Sequence, residues 1–318
     1  MGDWGSISFS SASKDLNQTI EYCKMEYGQG VRKSEPGSGK AIFSNNIIQY
    51  CSTGINVNNY RAPKDQVIIS YNQIRYNGTG IYCDMWSAAT ITHNIISYNS
   101  SYGINLYHTV DCQVDIQYNT ITNNGYGIYD YFSSATITHN IISYNSSYGI
   151  YLTWPWMGGG VNIQYNTITN NARGIWAYQS RPGVNYNNIF NNTSYDFYLI
   201  DSARADVDAT NNWWGTTDTE LIDAHIYDYS DDFNKGKVNY SPLLISEDGP
   251  SNYVPTVSVG ADPLYGAVPL TVSFTGSGSD IDGTIAKYEW DFDGDGTYDW
   301  SSTTTGNTTY TYTTRGTY

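Results

Sequence analysis

The stretch "ATITHNIISYNSSYGI" stands at residues 89–104 and again, unchanged, at 135–150, 46 residues further on. A second pair, "VDIQYNTITNNGYGIY" from Val114 and "VNIQYNTITNNARGIW" from Val161, interleaves with the first, so the 46-residue duplicate is two units of about 23. Aligned on Gly-Ile, the units put Gly54, Gly80, Gly103, Gly127, Gly149 and Gly174 in one column at spacings of 22 to 26 residues, with Asp196-Phe197 as a degenerate seventh. Each unit is I-x-x-N-x-I-x-x-N, a short spacer, then G-I. The first Asn column runs Asn46, Asn72, Asn94, Asn119, Asn140, Asn166, Asn187; the second runs Cys51, Asn77, Asn99, Asn124, Asn145, Asn171, Asn192.

A period in the twenties is that of a solenoid, in which each unit buries its apolar face only by stacking on its neighbours. Leu is too rare for a leucine-rich repeat, and short alternating strings broken by Asn and Gly predict three short strands per turn. The expected fold is therefore all-β, a parallel β-helix of about 8–9 coils at about 4.8 Å per coil. Asn tolerates a left-handed bend between strands, and identical amides stacked in register can hydrogen-bond along their column. Identical residues recur because they stack on identical neighbours.

Charged residues make up 14% of the 318-residue chain and Tyr reaches 32, a composition of strands and turns. The net charge of -15 is uneven: residues 1–200 carry 11 acids against 10 bases, 201–248 carry 11 against 3, and 249–318 carry 8 against 2. Nothing here could neutralise phosphates, so nucleic acid is not an expected partner. No apolar run approaches the roughly 18 residues of a membrane span, so no membrane insertion is expected. The start of the chain has no signal segment and is expected to be that of an excised fragment.

The repeat resembles the PbH1 repeats of NosD-like right-handed parallel β-helix proteins over about residues 4–245, with "GDWGSISF" and "IEYCKMEYG" as an earlier, weaker coil. "ATNNWWGTTD" at 209–218 resembles the Asn-x-Trp-Gly motif that closes such helices, and the acidic 216–245 segment is expected to cap the C-terminal end. From Pro255, "PTVSVGADPLYGAVPLTVSFTGSGSDIDGTIAKYEWDFDGDGTYDW" resembles a PKD domain, an immunoglobulin-like sandwich, with Trp290-Asp291-Phe292 as its W-D-F signature. The expected organisation is a β-helix with its cap at 1–245, a linker at 246–254, and an incomplete PKD-like sandwich at 255–318. The pairing resembles the modular cell-surface proteins of methanogenic archaea, including surface-layer components, and implies an extracellular location.

Alternation after each Gly puts the first and third residues inward and the second outward. The inward third column is Val57, Cys83, Leu106, Asp130, Leu152, Ala177 and Leu199, with Asp130 the outlier. Because an unpaired buried charge is costly, Asp130 is expected to lie past the strand end and turn outward. The outward column, Asn56, Tyr82, Asn105, Tyr129, Tyr151, Trp176 and Tyr198, forms an aromatic ribbon, with Trp154 and Trp156 in the following insertion. Flat aromatic faces suit sugar rings; the competing reading is that rings in register merely stabilise a β surface. The carbohydrate-binding candidates are accordingly Tyr82, Tyr129, Tyr151, Trp154, Trp156, Trp176 and Tyr198, and the expected partner is a polysaccharide or cell-envelope glycan, alongside other surface proteins.

Catalysis has thin material. The only acids between Met85 and Ile200 are Asp111, Asp115, Asp130 and Asp196, whereas glycoside hydrolysis takes two carboxyl groups about 5 to 9.5 Å apart. Asp111, Asp115 and His108 are the best catalytic candidates for a β-helix lyase or hydrolase. His93 and His139 share a column, but a coil lies between them, about 9.6 Å, which suits a shared turn role better than one metal. Cys23, Cys51 and Cys83 fall in interior columns, and a Cys83–Cys112 disulfide is a further candidate. "DFDGDGTYD" spaces Asp291, Asp293, Asp295 and Asp299 like the start of an EF-hand loop without its closing Glu, so calcium stands against a solvated acidic turn. Of the sequons at Asn17, Asn77, Asn99, Asn145, Asn192, Asn239 and Asn307, four are ladder positions whose amides should be engaged inside, and Asn17 and Asn307 are the expected acceptors. Three functions remain open: a non-catalytic surface scaffold that binds polysaccharide, a carbohydrate-active enzyme, and a purely structural envelope or sheath component. Copper delivery in the manner of NosD lacks the Met and His clusters it would use.

Overall fold

The computed structural model describes residues 5–9, 18–34, 40–58, 67–84, 86–109, 113–153, 160–200, 205–247, 256–279 and 285–318. The chain divides into two units, residues 1–251 and 252–318.

In the first unit the strands fall into three parallel sheets of ten, eight and eight strands among the described residues. The long sheet takes the strand after each spacer, such as Thr79–Cys83, Tyr102–Tyr107, Tyr126–Tyr131 and Tyr148–Thr153. The other two take the strands on either side of the first Asn, such as Ala89–Thr92 and Ile95–Ser97. Register follows the sequence columns: Ile81, Ile104, Ile128 and Ile150 pair in the long sheet, Ile91, Ile116 and Ile137 in the second, and Ile96, Ile121 and Ile142 in the third. All are fully buried. Each of these coils thus contributes an isoleucine from each of its three walls, about 1.5–3 kcal/mol per side chain removed from water.

The corners are held by the amides. Asn94 donates both its backbone N–H and its Nδ2 to Oδ1 of Asn119, each at 2.9 Å, and its Nδ2 also reaches the Ile69 carbonyl of the previous coil at 2.8 Å. Asn119 repeats this toward Asn140 and Ile91. One amide therefore ties together three coils, and every amide-to-amide bond of the ladder points the same way along the axis. The first ladder runs from the Cys23 N–H through Asn46, Asn72, Asn94, Asn119, Asn140, Asn166 and Asn187 to Asn212. The second runs from the Cys51 N–H through Asn77, Asn99, Asn124, Asn145 and Asn171 to Asn192. The ladder sequons Asn77, Asn99, Asn145 and Asn192 have buried, hydrogen-bonded amides, Asn307 is exposed, and Asn17 lies outside the described residues.

Glycine is required where the ladder passes. A Cβ on Gly103 would meet the Gly127 carbonyl oxygen at 2.7 Å and the Asn124 Nδ2 at 3.0 Å. The left-handed bend, however, is not on the ladder Asn. It falls on the residue before it: Tyr71, His93, Tyr118, His139, Tyr165 and Tyr186 all have φ between 55 and 60°. A left-handed non-glycine residue costs about 1–2 kcal/mol, and these rings recover part of it by stacking. Tyr71, His93, Tyr118, His139, Tyr165 and Tyr186 form one exposed pile with centroids 4.8 to 5.3 Å apart. His93 and His139 thus have the turn role expected of them.

Two further points differ from the sequence reading. Cys23 is exposed rather than interior, because it stands in the outermost described coil; Cys51 and Cys83 are buried as expected. Cys83 is a free thiol that burial pushes up to about 12, and Cys112 lies outside the described residues. At the far end, Asn212 closes the first ladder by donating to the Val184 and Ala209 carbonyls. Trp214, Ile222 of the short helix Thr219–Asp223, Ile226 and Val238 join the core there.

The second unit has a three-stranded antiparallel sheet, Thr256–Asp262, Leu270–Ser279 and Thr308–Tyr312, and a hairpin of Tyr288–Trp290 with Trp300–Ser302. Phe292 is buried against Phe274 and Tyr310, and the Trp290 indole donates to the Gly306 carbonyl.

Replacing Asn119 by Ala strands the Asn94 donors and the Ile91 carbonyl. Urea denaturation is expected to show a loss of about 3 kcal/mol or more, against under about 0.5 kcal/mol for the exposed Ser146→Ala.

Candidate functional site: the aromatic face of the long sheet

The outward positions of the long sheet stand in register as Asn56, Tyr82, Asn105, Tyr129, Tyr151, Trp176, Tyr198 and then Tyr227. Five of these form an unbroken stack. Tyr129 and Tyr151 are 5.2 Å apart, Tyr151 and Trp176 6.4 Å, Trp176 and Tyr198 4.0 Å, and Tyr198 and Tyr227 4.2 Å, with interplanar angles of 3 to 10°. Tyr82 is cut off from them by Asn105 and donates instead to Asp84 at 3.2 Å. Trp154 and Trp156 lie outside the described residues.

A second column, missed in the sequence, runs beside the first. Tyr102, Tyr126 and Tyr148 are each the residue before Gly-Ile; Tyr102 and Tyr126 lie 5.2 Å apart, tilted by 40°, Tyr126 and Tyr148 stack at 5.1 Å, and Tyr126 and Tyr148 meet Tyr151 of the first column edge to face. Arg173 takes the next place, with its guanidinium 5.1 Å from the Tyr148 ring and 5.6 Å from Trp176, and Tyr195 follows. The signal was present as the Tyr preceding Gly103, Gly127 and Gly149 and the Arg preceding Gly174. Its outward direction was not, because the residue sits at the strand's first position.

The stacking changes what this face can do. Within each column the rings cover one another's faces, so what they turn to solvent is ring edges and phenol hydroxyls. Burial, then the neighbouring phenols, push Tyr129 and Tyr198 up to about 12, and burial raises Tyr126 and Tyr151 as well. These hydroxyls stay protonated at any physiological pH and serve as neutral donors and acceptors, at intervals set by the coil.

Asp130 overturns the expectation that it turns outward. It lies inside the strand Tyr126–Tyr131, paired with Leu106 on one side and Leu152 on the other, and is 1% exposed. It stays there because Ser133 bonds it through both its hydroxyl and its backbone N–H. Burial outweighs those bonds and pushes its carboxyl up to about 7. Asp196, in the glycine column, ends the second ladder by accepting from the Asn192 N–H and Nδ2 at 3.1 and 2.7 Å; burial pushes it up to about 6, with His225 3.6 Å away.

His108 is packed against Tyr107, Tyr131 and Phe132, Asp115 faces outward on the strand Gln113–Gln117, and Asp111 lies outside the described residues. In the second unit, Asp291, Asp293 and Asp299 bring carboxylate oxygens within 4.8 Å of one another, while Asp295 stays out of the group. Asp291 accepts from Gly296 and Gly294 N–H groups, and chiefly the former holds its carboxyl below the usual range.

Residues 17–157 match the family described as periplasmic copper-binding protein (NosD), and residues 110–215 match the right handed beta helix region. Residues 256–318 match the PKD domain. The chain is a parallel β-solenoid followed by an antiparallel sheet region consistent with a PKD domain. Comparison with curated proteins and with solved structures returns no significant match. A β-helix paired with a PKD domain is the make-up of a protein exposed outside the cytoplasm, at a surface.

Asp130 makes stability depend on pH. Its folded pKa of about 7 lies above the ordinary 3.8, so folding favours the protonated form. That stability is full below about pH 4 and lost as pH rises toward 7, on the order of 4 kcal/mol at 1.36 kcal/mol per unit. Asp130→Asn, which keeps an acceptor for Ser133, is expected to raise the Tm at pH 8 and to give little or no gain at pH 4. Melting curves at the two pH values check it.

Proposed function

We propose that the protein is an extracellular surface scaffold whose β-helix binds polysaccharide along the aromatic face, without catalysis. The observation that carries this is the unbroken column from Tyr129 to Tyr227 beside the column Tyr102–Tyr126–Tyr148. A repeated comb of hydroxyls and ring edges, rising about 4.8 Å per coil, fits a polymer that itself repeats hydroxyls and C–H faces along its length. The polymer would lie parallel to the helix axis, and hydrogen bonds to phenols would do more than stacking on ring faces. Trp176→Ala removes the broadest ring at the middle of the column and is expected to weaken retardation in polysaccharide affinity gels about tenfold or more.

A second reading, a purely structural envelope component, has one observation in its favour: the ring faces are already spent on each other. Under it, Trp176→Ala lowers the Tm and leaves every polysaccharide signal unchanged. Copper binding, in the description of the NosD family, is not extended to this chain, since the Tyr118 ring separates His93 from His139.

The three carboxylates of the PKD domain fit a hard divalent cation, as oxygen ligands do, and we assign calcium to them. Calcium at about 1 mM, the range of extracellular modules, is expected to raise the PKD transition in the wild type and to leave it unmoved in Asp293→Asn/Asp299→Asn.

A further inference from the structure

We infer that Arg173 is the anion-recognition point of the aromatic face, and that the glycan bound there carries a uronic acid carboxylate. This rests on the polysaccharide reading and names the class of sugar.

Arg173 interrupts a column of tyrosines with a cation. Its guanidinium lies over the Tyr148 and Trp176 rings, yet it donates no hydrogen bond and forms no ion pair with any described residue. Lys is absent from residues 65–234, Arg75 is bonded to Gln49 on another sheet, and Arg181 follows the long-sheet strand Ile175–Tyr178. Among the described residues of the aromatic stretch of this face, Arg173 is the one cation; Arg32 stands in the same outward column six coils away, beyond Asn56 and Tyr82.

The guanidinium lies 5.1 and 5.6 Å from the centroids of two rings that stand at 73° to each other; with no hydrogen-bond partner among the described residues its N–H fork is free, and a guanidinium is weakly hydrated. Charge complementarity and geometry select the same ligand: a planar carboxylate takes that fork with two parallel bonds. The rings hold the long side chain in place beforehand, so less freedom is lost on binding. The surrounding phenols, kept protonated by burial, address the sugar hydroxyls on either side. A densely sulfated chain would find a single cation among the aromatic columns, the next one along the face being Arg32, six coils away.

The test uses the full chain and a matched pair of probes, oligogalacturonate and the same oligosaccharide fully methyl-esterified, with dextran sulfate as a third arm. Calorimetry is expected to show the free acid bound about tenfold or more tighter than the ester, the increment of a charge-assisted hydrogen bond. In Arg173→Gln the acid and ester should bind alike. In Arg173→Lys, a point charge without the fork, the preference should shrink. Equal binding of acid and ester by the wild type overturns the inference and leaves the polysaccharide reading standing. So does Arg173→Gln lowering the Tm with the acid preference intact, which makes the residue a structural clip. Tighter binding of dextran sulfate, lost in Arg173→Gln, overturns the choice of carboxylate. Failure of every polymer to bind overturns the polysaccharide reading itself.

Discussion

The amide of each ladder asparagine has nowhere to go except its neighbours. Its oxygen takes two N–H groups from the coil before, and its nitrogen gives to the coil after and to a carbonyl of the coil before. A buried primary amide with fewer partners would be costly, so a coil can only be added if it brings another Asn at the same height. Asn46 to Asn212 and Asn77 to Asn192 meet that condition coil after coil. The second ladder is closed by a carboxylate: Asp196 accepts both donors of Asn192 with no amide of its own.

Around this constraint the other columns are consequences. Glycine stands where the next coil's carbonyl comes within 2.4 to 2.8 Å of any added Cβ, as at Gly103, Gly127 and Gly174. Isoleucine fills the three walls because a β-branched side chain suits a pleated, buried surface. The corner residue before each Asn must turn left-handed, and a Tyr or His there is a local conflict that stacking with the coils above and below offsets in part. On the long sheet the same register piles aromatic side chains outside. The piling that orders them also hides their faces, which is why hydroxyls and one guanidinium, rather than flat rings, are what the surface offers a ligand.

Much of this was legible in the residues alone. The Asn and Gly columns gave the period, the period gave the coil, and the coil gave the register that sets Tyr129, Tyr151, Trp176 and Tyr198 in line. Three things were not. The position of the left-handed bend depends on which residue of Tyr-Asn turns, and spacing cannot tell one from the other. The burial of Asp130 depends on the hydroxyl of Ser133, three residues on, which composition does not flag as a partner. The grip on Arg173 comes from Tyr148 and Trp176, of which the first is 25 residues earlier and meets it only because successive coils stack.

The central claim is that vertical neighbours in a ladder are energetically one unit. A double-mutant cycle on Asn94→Ala and Asn119→Ala, read by urea denaturation, tests it most directly, with Asn94→Ala and Asn124→Ala, which share no bond, as the comparison. The account predicts a coupling of about 1 kcal/mol or more for the first pair and near zero for the second. Additive losses in both pairs would contradict it, because each amide would then be acting alone.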